Sequence, residues 1–147
     1  MQNEVTVKET FSAEETFSFG EQIGRAAKKG AVCTVNGDLG TGKTVLTQGI
    51  ACGLGITEPI SSPTFTIVQI YEEGRMPLYH FDVYRIGDVE EMEEIGYEDY
   101  FYGDGFTMIE WADLIEEILP EKRLEITIEK DLEKGFDYRK ITMKDRL

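Results

Sequence analysis

Covalent braces are scarce in this 147-residue chain, which has two cysteines and one histidine. Cys33 and Cys52 stand 19 residues apart with no CxxC pairing. That spacing argues against a disulfide framework and, with a single histidine, leaves little to build a structural zinc site. Both cysteines read as small buried apolar side chains in a reducing compartment. Long apolar runs are also missing: none approaches the roughly 18–20 residues that a membrane helix needs. The polar start MQNEVTVKET lacks the pattern of a secretory leader, so a cytoplasmic protein is expected. No Pro/Ser-rich linker, internal repeat or low-complexity run is present, and residues 1–147 read as one domain with its own core.

Positive charge is the other shortage. The formal net charge is −14, and residues 1–121 carry 7 Lys and Arg against 23 Asp and Glu. Nucleic-acid backbones are held chiefly by Lys and Arg, so this chain is expected to bind nucleic acid poorly by itself. Residues 122–147 reverse the balance, with 8 basic and 6 acidic residues. Solvated strand faces explain that segment more simply than a docking surface does.

What is present is concentrated in VNGDLGTGKTVLTQGI, residues 35–50. Gly37-Asp38-Leu39-Gly40-Thr41-Gly42-Lys43-Thr44 satisfies GxxxxGK[ST]. Glycines let the backbone curl until successive N–H groups point at phosphate oxygens. The helix that follows adds its positive N-terminus. In this pattern Asp38 through Thr44 cradle the phosphates, Lys43 reaches the β- and γ-phosphates, and the Thr44 hydroxyl faces Mg²⁺. The context agrees: AVCTV (31–35) reads as a buried strand, and KTVLTQGIACGL as a helix ending at Gly53 or Gly55.

Elsewhere, NEVTVK (3–8) alternates like a strand, and Ser12 with Glu15 forms a capping box for a helix running to Gly30. TIVQIY (66–71) and LYHFDVYR (78–85) flank a turn, as a hairpin would. Asp88 with Glu91 suggests a second capping box, opening a short acidic helix to Ile95. FTMIE (106–110) reads as a strand, ADLIEEIL (112–119) as a helix closed by Pro120, and LEITIEK and FDYRKITMK as a terminal hairpin. Early alternation and late hairpins predict an α/β fold with a mixed sheet and helices against it.

A phosphate loop of this kind needs an acid at the end of a neighbouring apolar strand to hold Mg²⁺. Glu110 has that shape, four largely apolar residues followed by one carboxylate, although it also suits a plain strand-end charge. Asp82 shares one strand face with Leu78, His80 and Tyr84. An acid and a histidine there are costly to bury without partners. Asp82 therefore reads as a group near the γ-phosphate, or as a structural pair with Arg85 or a backbone amide. His80 alone reads as a satisfied core histidine, and Trp111 as a hydrophobic anchor by default, or as a ring that stacks on something. Thr64, in the polar loop SSPTF (61–65), is a candidate to meet Mg²⁺ and the γ-phosphate in the triphosphate state.

Taken together, GDLGTGKT, SPTFTIV, HFDVYR, EEMEEIGYEDYF, IEW and the following LP resemble the TsaE family in order and spacing, over roughly residues 15–130. Ala112 departs from the proline many relatives carry after IEW, which loosens only the picture of that turn. The resemblance implies a P-loop fold on a roughly seven-stranded mixed sheet, binding ATP and Mg²⁺. It implies Thr44 and Glu110 as metal ligands, Lys43 as phosphate clamp and Asp82 as an acid important for hydrolysis. It further implies an ATP-driven accessory to a TsaB–TsaD pair, which transfers threonylcarbamoyl to adenosine beside the anticodon. The acidic charge suits such a role, in which tRNA is reached through protein partners.

Two rivals remain at this level. A small phosphotransferase would use the same cradle, but it needs basic clamps on its acceptor and usually a lid. No arginine-rich insert is present, and Arg85 is the one basic residue well placed near the proposed site. A nucleotide-sensing module that barely hydrolyses is the other rival, since neither a catalytic Gln nor an arginine finger is evident. The guanine-reading NKxD pattern is absent.

Overall fold

The computed structural model describes residues 4–37, 41–61, 63 and 67–146. Its centre is a seven-stranded sheet ordered β1-β7-β6-β2-β5-β4-β3. The strands are β1 (Glu4–Thr10), β2 (Val32–Asn36), β3 (Val68–Tyr71), β4 (Leu78–Asp82), β5 (Phe106–Glu110), β6 (Leu124–Lys130) and β7 (Arg139–Asp145). The four middle strands, β6, β2, β5 and β4, run parallel. Antiparallel β3 closes one edge, and antiparallel β7 and β1 close the other. The parallel strands consequently deliver their carboxyl ends to one edge of the sheet, where open α/β sheets bind ligands.

The sheet is covered on both faces. Helices α1 (Ala13–Ala26) and α2 (Lys43–Gly53) pack Phe19, Leu46, Ile50 and Leu54 onto Cys33, Val35, Met108 and Ile126. On the other face, Val32, Phe81 and Ile109 meet Met92 and Phe101 from two short helices, α3 (Glu90–Glu94) and α4 (Tyr97–Phe101). A strand wanted on both sides must be apolar throughout, and β2 is buried at every residue but Asn36.

α1 and α2 cross at backbone contact. Gly20 and Gly24 of one helix face Gly49 and Gly53 of the other. A β-carbon at Gly24 would lie 2.9 Å from the Gly53 Cα and strike the Ile50 carbonyl oxygen. α1 starts as its sequence indicates. The Ser12 hydroxyl accepts from the Glu15 amide, and the Glu15 carboxylate accepts from the Phe11 amide, a cap that contributes on the order of 1 kcal/mol.

Several boundaries differ from expectation. α1 stops at Ala26 with Ala27 as its cap, short of Gly30. Gly30 instead takes a φ of 85° in the turn into β2. β4 ends at Asp82 and does not continue to Arg85, because beyond Asp82 the chain leaves the sheet in a turn closed by Ile86 onto Val83. The acidic helix starts at Glu90 after Val89, so the capping pattern is met one residue out. Asp88 accepts from the Glu90 amide and Glu91 from the Gly87 amide. The expected helix at 112–119 is a 3₁₀ segment, Ala112–Ile118, kinked at Ile115. α4 was not anticipated, since its five residues carry no full period. Cys33 is buried, and burial raises its thiol pKa. Cys52 is exposed, contrary to the reading of both cysteines as buried. Among the described residues, no helix is long and apolar enough to cross a membrane.

Candidate functional site

β2 leads into the glycine loop, and α2 leaves it. Gly42 holds φ at 98°, a left-handed turn that only glycine adopts freely, and it delivers Lys43 as the first helical residue. Among the described residues, no side chain caps the start of α2. Its leading N–H groups are therefore left to whatever anion sits before them. Thr44 is exposed on this first turn. Asp38, Leu39, Gly40 and Thr64, expected to contact the nucleotide, lie outside the described residues.

Lys43 is buried despite its charge, and its partners account for that. The Nζ donates to the Gly37 carbonyl at 2.7 Å, closing the loop on itself, and lies 4.1 Å above the centre of the Trp111 ring. A cation on a tryptophan face is attracted by the ring quadrupole. Trp111 is no simple anchor. Among the described residues it is the sole non-glycine at positive φ (63°), the kind of backbone strain that clusters at functional sites. Tyr84 supports its other contacts, with ring centres 4.7 Å apart.

The acids arrive from the adjoining strand ends. Glu110 ends β5, in register with Val35 of β2 on one side and Asp82 of β4 on the other. Its side chain is about 5% exposed, and Oε2 meets the His80 Nε2 at 2.6 Å. Asp82 is half-buried, and its Oδ1 accepts from the Tyr84 amide at 3.0 Å. Of the two structural alternatives considered for Asp82, this is the backbone one. Burial raises the Asp82 carboxyl above the usual range; the Tyr84 amide opposes this, and the nearby Glu110 charge adds to it. Lys43, Glu110 and Asp82 thus converge at the ends of β2, β5 and β4. The donor set of Thr44 hydroxyl and two carboxylates is all oxygen, which suits a hard divalent cation such as Mg²⁺.

One residue at the site was missed from sequence. Arg139, the first residue of β7, donates its Nε to the Thr41 carbonyl at 2.7 Å. It also lines a shallow, open recess with Ala13, Thr16, Gly42, Val45 and Asp137. The only trace in the sequence is the basic excess after residue 121, in which Arg139 is one of eight.

Residues 10–141 match the family model described as threonylcarbamoyl adenosine biosynthesis protein TsaE. The tRNA threonylcarbamoyladenosine biosynthesis protein TsaE of Bacillus subtilis is 50% identical over 133 residues, covering 90% of this chain and 81% of that protein. Its counterpart in Treponema pallidum is 42% identical, covering 80% and 86%. The crystal structure of B. subtilis YdiB superposes with a TM-score of 0.83 at 40% identity, spanning all of this chain and 89% of that one. Fold and comparisons agree: the chain belongs to the TsaE family of tRNA threonylcarbamoyladenosine biosynthesis.

Proposed function

We propose that this protein is a Mg²⁺-dependent ATPase that sustains turnover of a TsaB–TsaD-like complex during tRNA N6-threonylcarbamoyladenosine formation. The observation that carries the reading is the convergence of Lys43, Asp82 and Glu110 on the uncapped start of α2. ATP phosphates replace the Gly37 carbonyl as the partner of Lys43, and the α2 amides and loop backbone surround them. The recess beside Gly42 and Arg139 receives the rest of the nucleotide.

Thr44 and Glu110 would hold the metal, which when bound would supply charge neutralisation for the β- and γ-phosphates. Asp82 orients the attacking water with Oδ2, its other oxygen being held by Tyr84. A carboxylate whose pKa is raised by burial is a better proton acceptor than an exposed one. Asp82→Asn is expected to leave ATP affinity within about threefold of the original and to slow single-turnover hydrolysis by about 100-fold, the scale of one general-base group. Loss of ATP binding in that variant would mark Asp82 as structural.

The acidic surface supports action through protein partners. The decisive experiment measures phosphate release from Mg-ATP by the chain alone and with a TsaB–TsaD pair. Slow release alone, accelerated by the pair and dependent on Lys43, is expected. Unchanged release, with no binding to the pair, would sink the partner assignment. Transfer of phosphate to an added acceptor would favour the phosphotransferase instead.

A further inference from the structure

His80 is the chain's one histidine, and its position is unusual. It is 1% exposed, in the interior of β4, beside Met108 in the register of β5. Its Nε2 is committed to Glu110, while its Nδ1 is buried without a hydrogen-bond partner among the described residues. A buried nitrogen left unpaired costs stability. An apolar side chain of similar size would pack there without that cost. The residue is therefore poorly explained as filler.

Its single bond is informative. The contact needs a donor, and the ring supplies it in the tautomer that carries its proton on Nε2. The side chain at the site that must keep a fixed orientation is Glu110, whose strand end is already clamped: the Val83 amide donates to the Glu110 carbonyl at 3.3 Å. His80 extends that clamp to the carboxylate. One oxygen is held by the ring, and the other is left for the cation.

We propose that His80 is a positioning residue that orients the Glu110 carboxylate for Mg²⁺ through its Nε2–H donor. This rests on the reading of Glu110 as a metal holder. Partners of metal-ligating carboxylates act in this way by fixing the ligand before the ion arrives, so binding does not have to order it. The unpaired Nδ1 fits a ring selected for what its other nitrogen does.

The test compares donors of different reach. A glutamine side-chain nitrogen falls near the position of His Nε2, whereas asparagine is one methylene shorter and leucine has no donor. Mn²⁺ serves as the probe, read from loss of the free-ion EPR signal in the presence of a non-hydrolysable ATP analogue. His80→Leu is expected to weaken Mn²⁺ binding by about 10- to 100-fold, and His80→Gln to stay within about threefold of the original. Metal-free affinity for the analogue should stay unchanged in both. If His80→Leu does not fold, as judged by thermal melting, His80→Asn replaces it and should show the same weakening. Equal Mn²⁺ affinity in the glutamine variant and the variant lacking the reach, whether strong or weak, would overturn the proposal. Glu110→Gln is measured in parallel. If that change leaves Mn²⁺ binding intact, the metal role of Glu110 has failed and the role of His80 falls with it, by a readout independent of residue 80.

Discussion

Lys43→Ala is expected to lower ATP affinity at least about tenfold and to slow hydrolysis by about 100-fold or more, the scale of losing one preorganised charged donor to the transferring phosphoryl group. Lys43 already sits desolvated, on the Gly37 carbonyl and the Trp111 ring. Binding ATP exchanges a neutral carbonyl for an anion without a new desolvation cost for the ammonium. Alanine removes that exchange and also leaves the Gly37 carbonyl without its donor. Arginine should not rescue, because its planar fork does not reproduce a point charge set between one oxygen and one ring face. Trp111 is the chain's one tryptophan, so its emission should change when ATP draws the ammonium from the ring, and should not respond in Lys43→Ala. Retention of ATP affinity within about twofold, less than a neutral hydrogen bond is worth, would remove Lys43 from the phosphate site.

Those parts of the site that depend on neighbours in sequence were readable before any fold was known. The apolar run 31–35 and the helical pattern from Lys43 onward are each local in sequence, and β2 and α2 appear where they put them. Glu110 was expected at a strand end because it closes an apolar run, and β5 ends there. Asp82 was found from the cost of burying an acid, and it lies in register with Glu110. Arg139 was not found. It reaches Thr41 from 98 positions away by virtue of β7 pairing, and nothing in FDYRKITMK distinguishes it from a solvated strand charge. His80 was read as satisfied, whereas half of it is not; the hydrogen bond that defines it crosses from β4 to β5. The 112–119 segment misled for a different reason. Its apolar spacing is helical, but the chain enters it from a left-handed Trp111 and must fold Ile115 into the second core, so it tightens and kinks. Pattern thus located the strand-end positions, which follow from chain direction. Groups recruited by strand pairing stayed hidden.

The α1–α2 crossing gives the second large effect, because two rules disagree on its sign. Gly49 lies in the interior of α2, where replacing glycine with alanine favours the helix by about 1 kcal/mol. The crossing says otherwise. A β-carbon at Gly49 would strike the Phe17 carbonyl oxygen, 3.0 Å from that carbonyl's carbon and 3.2 Å from the Glu21 nitrogen. All of these are backbone atoms of α1, so no side chain can rotate away. Nor can α1 withdraw freely. Arg75, in the β3–β4 turn, donates to the carbonyls of Gly24, Arg25 and Ala27 and ties its end to the sheet. Separating the helices would also draw Leu46 and Ile50 out of a close-packed layer. Gly49→Ala is therefore expected to destabilise the protein by about 3 kcal/mol, at the upper end for overpacking. In a chain of this length that corresponds to a melting temperature lower by roughly 6–12 °C. Because α2 carries Lys43 and Thr44 on its first turn, ATP affinity measured below the melting temperature should fall as well. Gln22→Ala, on the exposed side of α1, should stay within about 0.5 kcal/mol of the original and serves as the control. A higher melting temperature for Gly49→Ala would mean that helix propensity wins, and that the two backbones do not meet as closely as their four glycines indicate.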